Sequence, residues 1–151
     1  MTEETKKNAY LYCKLRDDQY ALYVDYAKRH GIMVKTLMTV NSLYYSEDGL
    51  TQKDICDRTS QAKQTINLII SKLLEDGYVT VTEVPENKRT KLVRLTDRGR
   101  EWCRETVLHV TWAEDTAMSM LSPEEQQQLV ALSRKFTQNF TALMNQDAED
   151  R

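Results

Sequence analysis

The hydrophobic period of this chain changes once, and only briefly. Tyr78-Val79-Thr80-Val81-Thr82-Glu83-Val84 alternates apolar with polar and is rich in β-branched residues, the pattern of a half-buried strand. Pro85-Glu86-Asn87 brings turn chemistry, and Leu92-Val93-Arg94-Leu95 reads as the return strand of a hairpin with a long, basic tip. On either side, apolar residues recur at helical spacing. Only four Gly and two Pro occur in 151 residues, which argues against disorder, collagen and a turn-rich all-β sandwich. The expected fold class is therefore mainly α, with one two-stranded element set among helices.

Gly31, Gly49, Gly77, Pro85 and Pro123 cut the chain into pieces. Leu11, Leu15, Leu22 and Tyr26 share one face of a first helix, and Val34, Leu37, Met38, Val40 and Leu43 mark a short buried helix within 32–46. Thr51 is placed to cap a helix running to about Asp57, because its hydroxyl satisfies amides that the first turn leaves unbonded. Thr59-Ser60 interrupts. The next helix, about 62–75, turns Ile66, Ile69, Ile70, Leu73 and Leu74 to the core, and Gly77 suits the left-handed position that closes it. Thr96 caps a long helix in which Cys103, Val107, Val110, Ala113, Ala117 and Leu121 advance by a mean of 3.6 residues. Ser122-Pro123-Glu124-Glu125 opens the last helix with a capping box and a first-turn proline. Its Leu129, Leu132, Phe136, Phe140 and Leu143 form a near-heptad stripe that suits packing on another helix.

A chain of this length buries roughly 70% of its extended surface and needs neither disulfide nor metal to stay folded. Cys13, Cys56 and Cys103 lie far apart, and His30 and His109 are the only histidines, so no structural zinc site is expected. Glu105 and His109, four apart, could form two arms of a metal site or a surface pair, and no third ligand lies near in sequence. No apolar run nears the ~20 residues of a membrane span, and residues 1–7 lack a signal-peptide core; the expectation is a cytoplasmic protein with no membrane partner. Gly-rich phosphate loops, nucleophile elbows, His-Glu-x-x-His and paired carboxylates are all missing, so no catalytic residue, cofactor or enzymatic activity is expected.

Charge is distributed unevenly. The net charge is −2, yet residues 86–100 hold Lys88, Arg89, Lys91, Arg94, Arg98 and Arg100 against only Glu86 and Asp97, and 147–151 form an acidic tail. Helix, short helix, break, polar-faced helix, hairpin, helix is the element order of a winged helix-turn-helix. The face opposite the Ile/Leu stripe presents Lys63, Gln64, Asn67 and Ser71, with Ser60 and Gln61 leading in. These side chains can hydrogen-bond to base edges and phosphates, although the same face also fits an ordinary solvated helix. The tip Asn87-Lys88-Arg89-Thr90-Lys91 can reach phosphates or a minor groove, or can simply keep a sheet edge soluble. Polar helix and basic wing in this order favour duplex DNA as partner.

The wing segment Asn87-Lys88-Arg89-Thr90-Lys91-Leu92-Val93-Arg94-Leu95-Thr96-Asp97-Arg98-Gly99 resembles the Asp-x-Arg…Leu-Thr-x-x-Gly pattern of the multiple-antibiotic-resistance regulator (MarR) family. Upstream, Thr65-Ile66, Leu73 and Gly77-Tyr78-Val79 are similar to the same family, as is Leu121-Ser122-Pro123-Glu124-Glu125. The similarity is strong over about 50–102. Asn87 stands where the family has Asp, Val81 where relatives often carry Arg, Thr59 at the turn's Leu and Cys56 at its preceding Ala.

The resemblance implies a transcriptional regulator, commonly a repressor, bound as a homodimer to a pseudo-palindromic operator. It places a first dimerisation helix at 1–30, a DNA-binding lobe at 31–100 and dimerisation helices at 101–146, interlocked as one domain. DNA contacts are expected from Thr51, Ser60, Gln61, Lys63, Gln64, Thr65, Asn67, Ser71, Lys88, Arg89, Thr90 and Lys91. Family members commonly release DNA on binding a small aromatic or anionic ligand. Tyr12, Tyr23, Tyr44 and Tyr45 either supply such a pocket or pack at the dimer interface. Cys13 is either a redox sensor or a buried inert thiol. A winged-helix module that binds protein instead of DNA is the remaining alternative.

Overall fold

The computed structural model describes residues 1–149. Its elements are α1 (Glu3–Arg29), α2 (Val34–Tyr44), β1 (Leu50–Thr51), α3 (Gln52–Thr59), α4 (Lys63–Glu75), β2 (Val79–Val84), β3 (Asn87–Leu95), α5 (Asp97–Thr106), α6 (Leu108–Ser119) and α7 (Pro123–Glu149). The chain divides into two compact units, Met1–His109 and Val110–Arg151. Among the described residues, no helix is long and apolar enough to cross a membrane. Residues 147–149 of the acidic tail continue α7; residues 150–151 lie outside the described residues.

The first unit is built around one core: Val40 and Leu43 of α2, Leu50, Ile55 of α3, Ile66, Ile69 and Leu73 of α4, Val79, Val93, and Cys103 and Val107 beyond the hairpin. The local signals act as expected. Gly77 adopts φ +75°, its N–H donates to the Leu74 carbonyl and that of Tyr78 to Leu73, the paired bonds of a Schellman closure. Thr96 accepts from the Gly99 N–H at 3.0 Å and donates to the Gly77 carbonyl at 2.7 Å, so the cap of α5 also ties the hairpin to the end of α4. In the second unit, Ser122 and Glu125 form the capping box of α7.

Thr51 caps α3, and Asp54 completes a reciprocal box: the Asp54 N–H donates to Thr51 Oγ1, while the Thr51 hydroxyl and N–H donate to the Asp54 carboxylate at 2.6 and 3.0 Å. These two donated bonds hold the Asp54 carboxyl below its ordinary range. A lowered folded-state pKa contributes stability above the ordinary value, and that contribution disappears as pH falls through the folded value. Thr51→Val is expected to lower stability by about 1 kcal/mol at neutral pH. The gap from wild type narrows on acidification below 3.8, and thermal melts across pH 2–7 would show it.

The structure corrects four expectations. The two-stranded wing has a third strand: Leu50 and Thr51 pair with Val93 and Leu92, giving the antiparallel order β1-β3-β2. The return strand begins at Asn87, not Leu92, so the basic tip belongs to it. Glu83 faces Lys91 while Val84 faces Asn87, and residues 88–90 form extra length between those pairs. The long helix expected after Thr96 breaks at Val107 into α5 and α6. There the Thr106 hydroxyl bonds back to the Trp102 carbonyl at 3.1 Å, competition that bends helices, and Thr106 and Val107 are both β-branched and buried. Finally, Leu74 is half exposed and does not join the α4 core face. On the α1 face expected from the sequence, Tyr26 is buried, while Leu11, Leu15 and Leu22 are open.

Candidate nucleic-acid interface

The crossing of α3 and α4 is set at Ser60, which ends α3 at φ +51°, the one positive-φ non-glycine among the described residues. Gln61 follows with its amide turned inward: Nε2 donates to the Lys35 carbonyl of α2 at 3.2 Å. Gln52, which the sequence did not single out, clamps the two helices from the other side, because its Nε2 donates to the Lys63 carbonyl and to Asn67 Oδ1. One α3 side chain therefore orients an α4 side chain at the surface. A signal existed in the sequence, since Gln52 sits in the first turn behind the Thr51 cap, but its partners are 11 and 15 residues away.

Held in this way, α4 presents Lys63, Gln64, Asn67 and Ser71 outward, all exposed. Its N-terminus at Ala62 has no side-chain cap, so the first amides of the helix face outward at the positive end of its dipole, a setting that favours phosphate. Across from the helix lies the wing. Asn67 and Ser71 of α4 and Lys91 of β3 line a single groove of about 430 Å3, floored by Ile70, Leu74 and Val81. Helix face and wing, predicted separately, thus share one concave surface.

In the wing, the Asn87 side-chain oxygen accepts the Arg89 N–H at 3.2 Å, so Asn87 holds the Arg89 backbone without a carboxylate. Arg89 and Lys91 are exposed, and among the described residues neither they nor Lys63 forms an ion pair. The Lys88 side chain lies outside the described residues. Thr90 is half-buried. Thr51 is committed to the α3 cap, and Thr65 lines a second groove, of about 500 Å3, on the other flank of α4 with Met33, Leu68 and Trp102.

The remaining candidates sit elsewhere. Tyr12 and Tyr23 are half-buried on α1, and Tyr44 packs on the core edge-to-face with Tyr45 at 5.2 Å; none of the four lines either groove. Cys13 is half-buried on α1. Cys103 is fully buried, and burial pushes its thiol up to about 12. The His109 ring stacks on Tyr26 at 5.7 Å, and the described residues contain no cluster of three His, Cys, Asp or Glu able to hold a metal.

Crossed α3 and α4, the strand that follows them and the basic hairpin define a winged helix-turn-helix protein. Residues 30–90 match the model of the MarR family. A curated relative, the uncharacterized HTH-type transcriptional regulator YkoM of Bacillus subtilis, is 29% identical over 109 residues, covering 72% of this chain and 70% of YkoM. The fold is shared with Staphylococcus aureus MepR in its DNA-binding conformation (TM-score 0.76, 22% identity, 88% of this chain and 98% of MepR). It is also shared with the MepR–DNA complex (TM-score 0.71, 22% identity, 88% and 97%). The PcaV regulator of Streptomyces coelicolor, solved with its natural ligand, matches at TM-score 0.68 and 22% identity over 91% of this chain and 96% of PcaV.

Proposed function

We propose that this chain is a DNA-binding transcriptional regulator that grips a pseudo-palindromic operator as a homodimer and acts as a repressor released by a small aromatic or anionic ligand. One observation carries the reading: Asn67 and Ser71 of the exposed α4 ridge and Lys91 of the wing border the same groove. Lys63, Arg89 and Lys91 form no ion pair among the described residues, which leaves their charges to neutralise phosphates. Gln64 and Asn67 expose carboxamides, the groups that can pair with adenine edges. MepR, which shares the fold, is known in complex with DNA.

Pairing of chains is supported by apolar side chains that each unit leaves uncovered. On α1, Leu22 is 69% exposed, and on α7 Leu132 is 67% exposed, each within a stripe of similar residues. Two chains joined through these helices would set recognition helices about 34–36 Å apart, one turn of duplex. Release by a small ligand is supported by the family and by the ligand-bound PcaV structure.

The test is selection of duplexes from a random library by the full chain, followed by affinity against salt. A steep fall of log affinity with log salt and an inverted-repeat consensus are expected. Failure to bind any duplex at low ionic strength overturns the reading; salt-insensitive binding to a polypeptide would replace it. Within that framework, Gln64→Ala and Asn67→Ala are each expected to relax preference at particular bases by about 1–3 kcal/mol. Affinity for unrelated duplexes is left nearly unchanged, as competition with single-base variants of the selected site would show.

A further inference from the structure

The ridge of α4 is not wholly polar. Ile66, Ile69 and Leu73 form the buried face, whereas Leu68 stands 74% exposed. At about 100° per residue, Leu68 projects about 40° from Gln64 and about 140° from Leu73, so it belongs to the outward ridge and not to the core. The fold leaves most of this isobutyl group uncovered, at the rim of the groove that Met33, Thr65 and Trp102 line. The place of Leu68 one helical turn from Gln64 puts it on the face that the DNA-binding reading turns to the duplex. Within the major groove, the one apolar group that base pairs display is the C5-methyl of thymine.

We propose that Leu68 is a sequence-determining residue of the DNA interface, packing its isobutyl group on the C5-methyl of a thymine one or two base pairs from the base that Gln64 reads. The spacing follows from the helix: four residues rise about 6 Å, against about 3.4 Å per base pair. This inference rests on the DNA-binding reading and adds to it a reason for an exposed leucine where solvent alone would favour a polar residue.

The experiment uses the full chain and the duplex that it selects from a random library. Each thymine is replaced in turn by deoxyuridine, which pairs identically but lacks the methyl, and Kd is measured by fluorescence anisotropy at fixed salt. Wild type is expected to lose about three- to fivefold at one thymine position per half-site, the worth of one buried methyl group. Leu68→Ala should lose a similar factor on the all-thymine duplex and be indifferent to deoxyuridine at that position. Because Leu68 is exposed, its melting temperature should match wild type, and the variant tests recognition, not folding. Indifference of wild type to every replacement, or undiminished thymine sensitivity in Leu68→Ala, overturns the proposal while leaving DNA binding intact. Absence of binding to any duplex overturns both.

Discussion

Gly99→Ala is expected to destabilise the protein by about 3 kcal/mol, lowering Tm by roughly 6–12 °C. A Cβ built at Gly99 would lie 2.0 Å from the Tyr78 carbonyl oxygen and 2.9 Å from its carbon, both backbone atoms. Neither side can yield cheaply. The Tyr78 carbonyl accepts the Thr96 N–H at 3.0 Å, and the Tyr78 N–H closes α4 on the Leu73 carbonyl at 2.9 Å. The Tyr78 ring is stacked on Trp102 at 4.4 Å and lies under the Arg98 guanidinium at 5.3 Å. Admitting one methyl group therefore means prising the first turn of α5 off the base of the wing. Gly77→Ala is the control: its Cβ meets nothing within 4 Å, and it carries only the left-handed penalty of about 1–2 kcal/mol. Equal melting temperatures for Gly99→Ala and wild type would show that α5 and the hairpin do not pack as described.

The second large effect is on binding. Arg89→Ala/Lys91→Ala removes two exposed wing cations that make no ion pair within the described residues, so stability should change little. The slope of log affinity against log salt should flatten by about 1.8 per protomer, or about 3.6 for a pair of chains, at about 0.9 per phosphate released. The loss should be the same for selected and unrelated duplexes, because phosphate contacts carry no sequence information. An unchanged slope in fluorescence titrations from low to physiological salt would mean that the wing does not touch the backbone. Paired with Gln64→Ala, the double variant separates positioning by the wing from base reading by α4.

What could be read along the chain was chemistry that acts within about four residues. Thr51, Thr96 and Ser122 were identifiable as caps because each hydroxyl meets an amide three positions on. Gly77 was identifiable because its φ of +75° costs a glycine almost nothing. The polar ridge of α4 followed from helical period; Leu68 shares that ridge by the same period but breaks its polar pattern, and the structure shows it exposed. The Val107 break was hidden by a hydrophobic period that continues across it, while the Thr106 hydroxyl redirects the backbone. Strand β1 gave no periodic signal at all, since two residues cannot show one.

Sequence by itself determined the order of helices and hairpin, the caps that bound them and the concentration of positive charge at 86–100, since each depends on neighbours in the chain. Tertiary structure alone decided that Gln52 orients Asn67 from 15 residues away and that Leu50 and Thr51 extend the wing's sheet by pairing some 40 residues downstream. It also decided that Asn67, Ser71 and Lys91 border one groove. Contacts of that kind depend on where burial of Ile66, Val79 and Val93 in a common core brings distant segments, and no local pattern encodes that meeting.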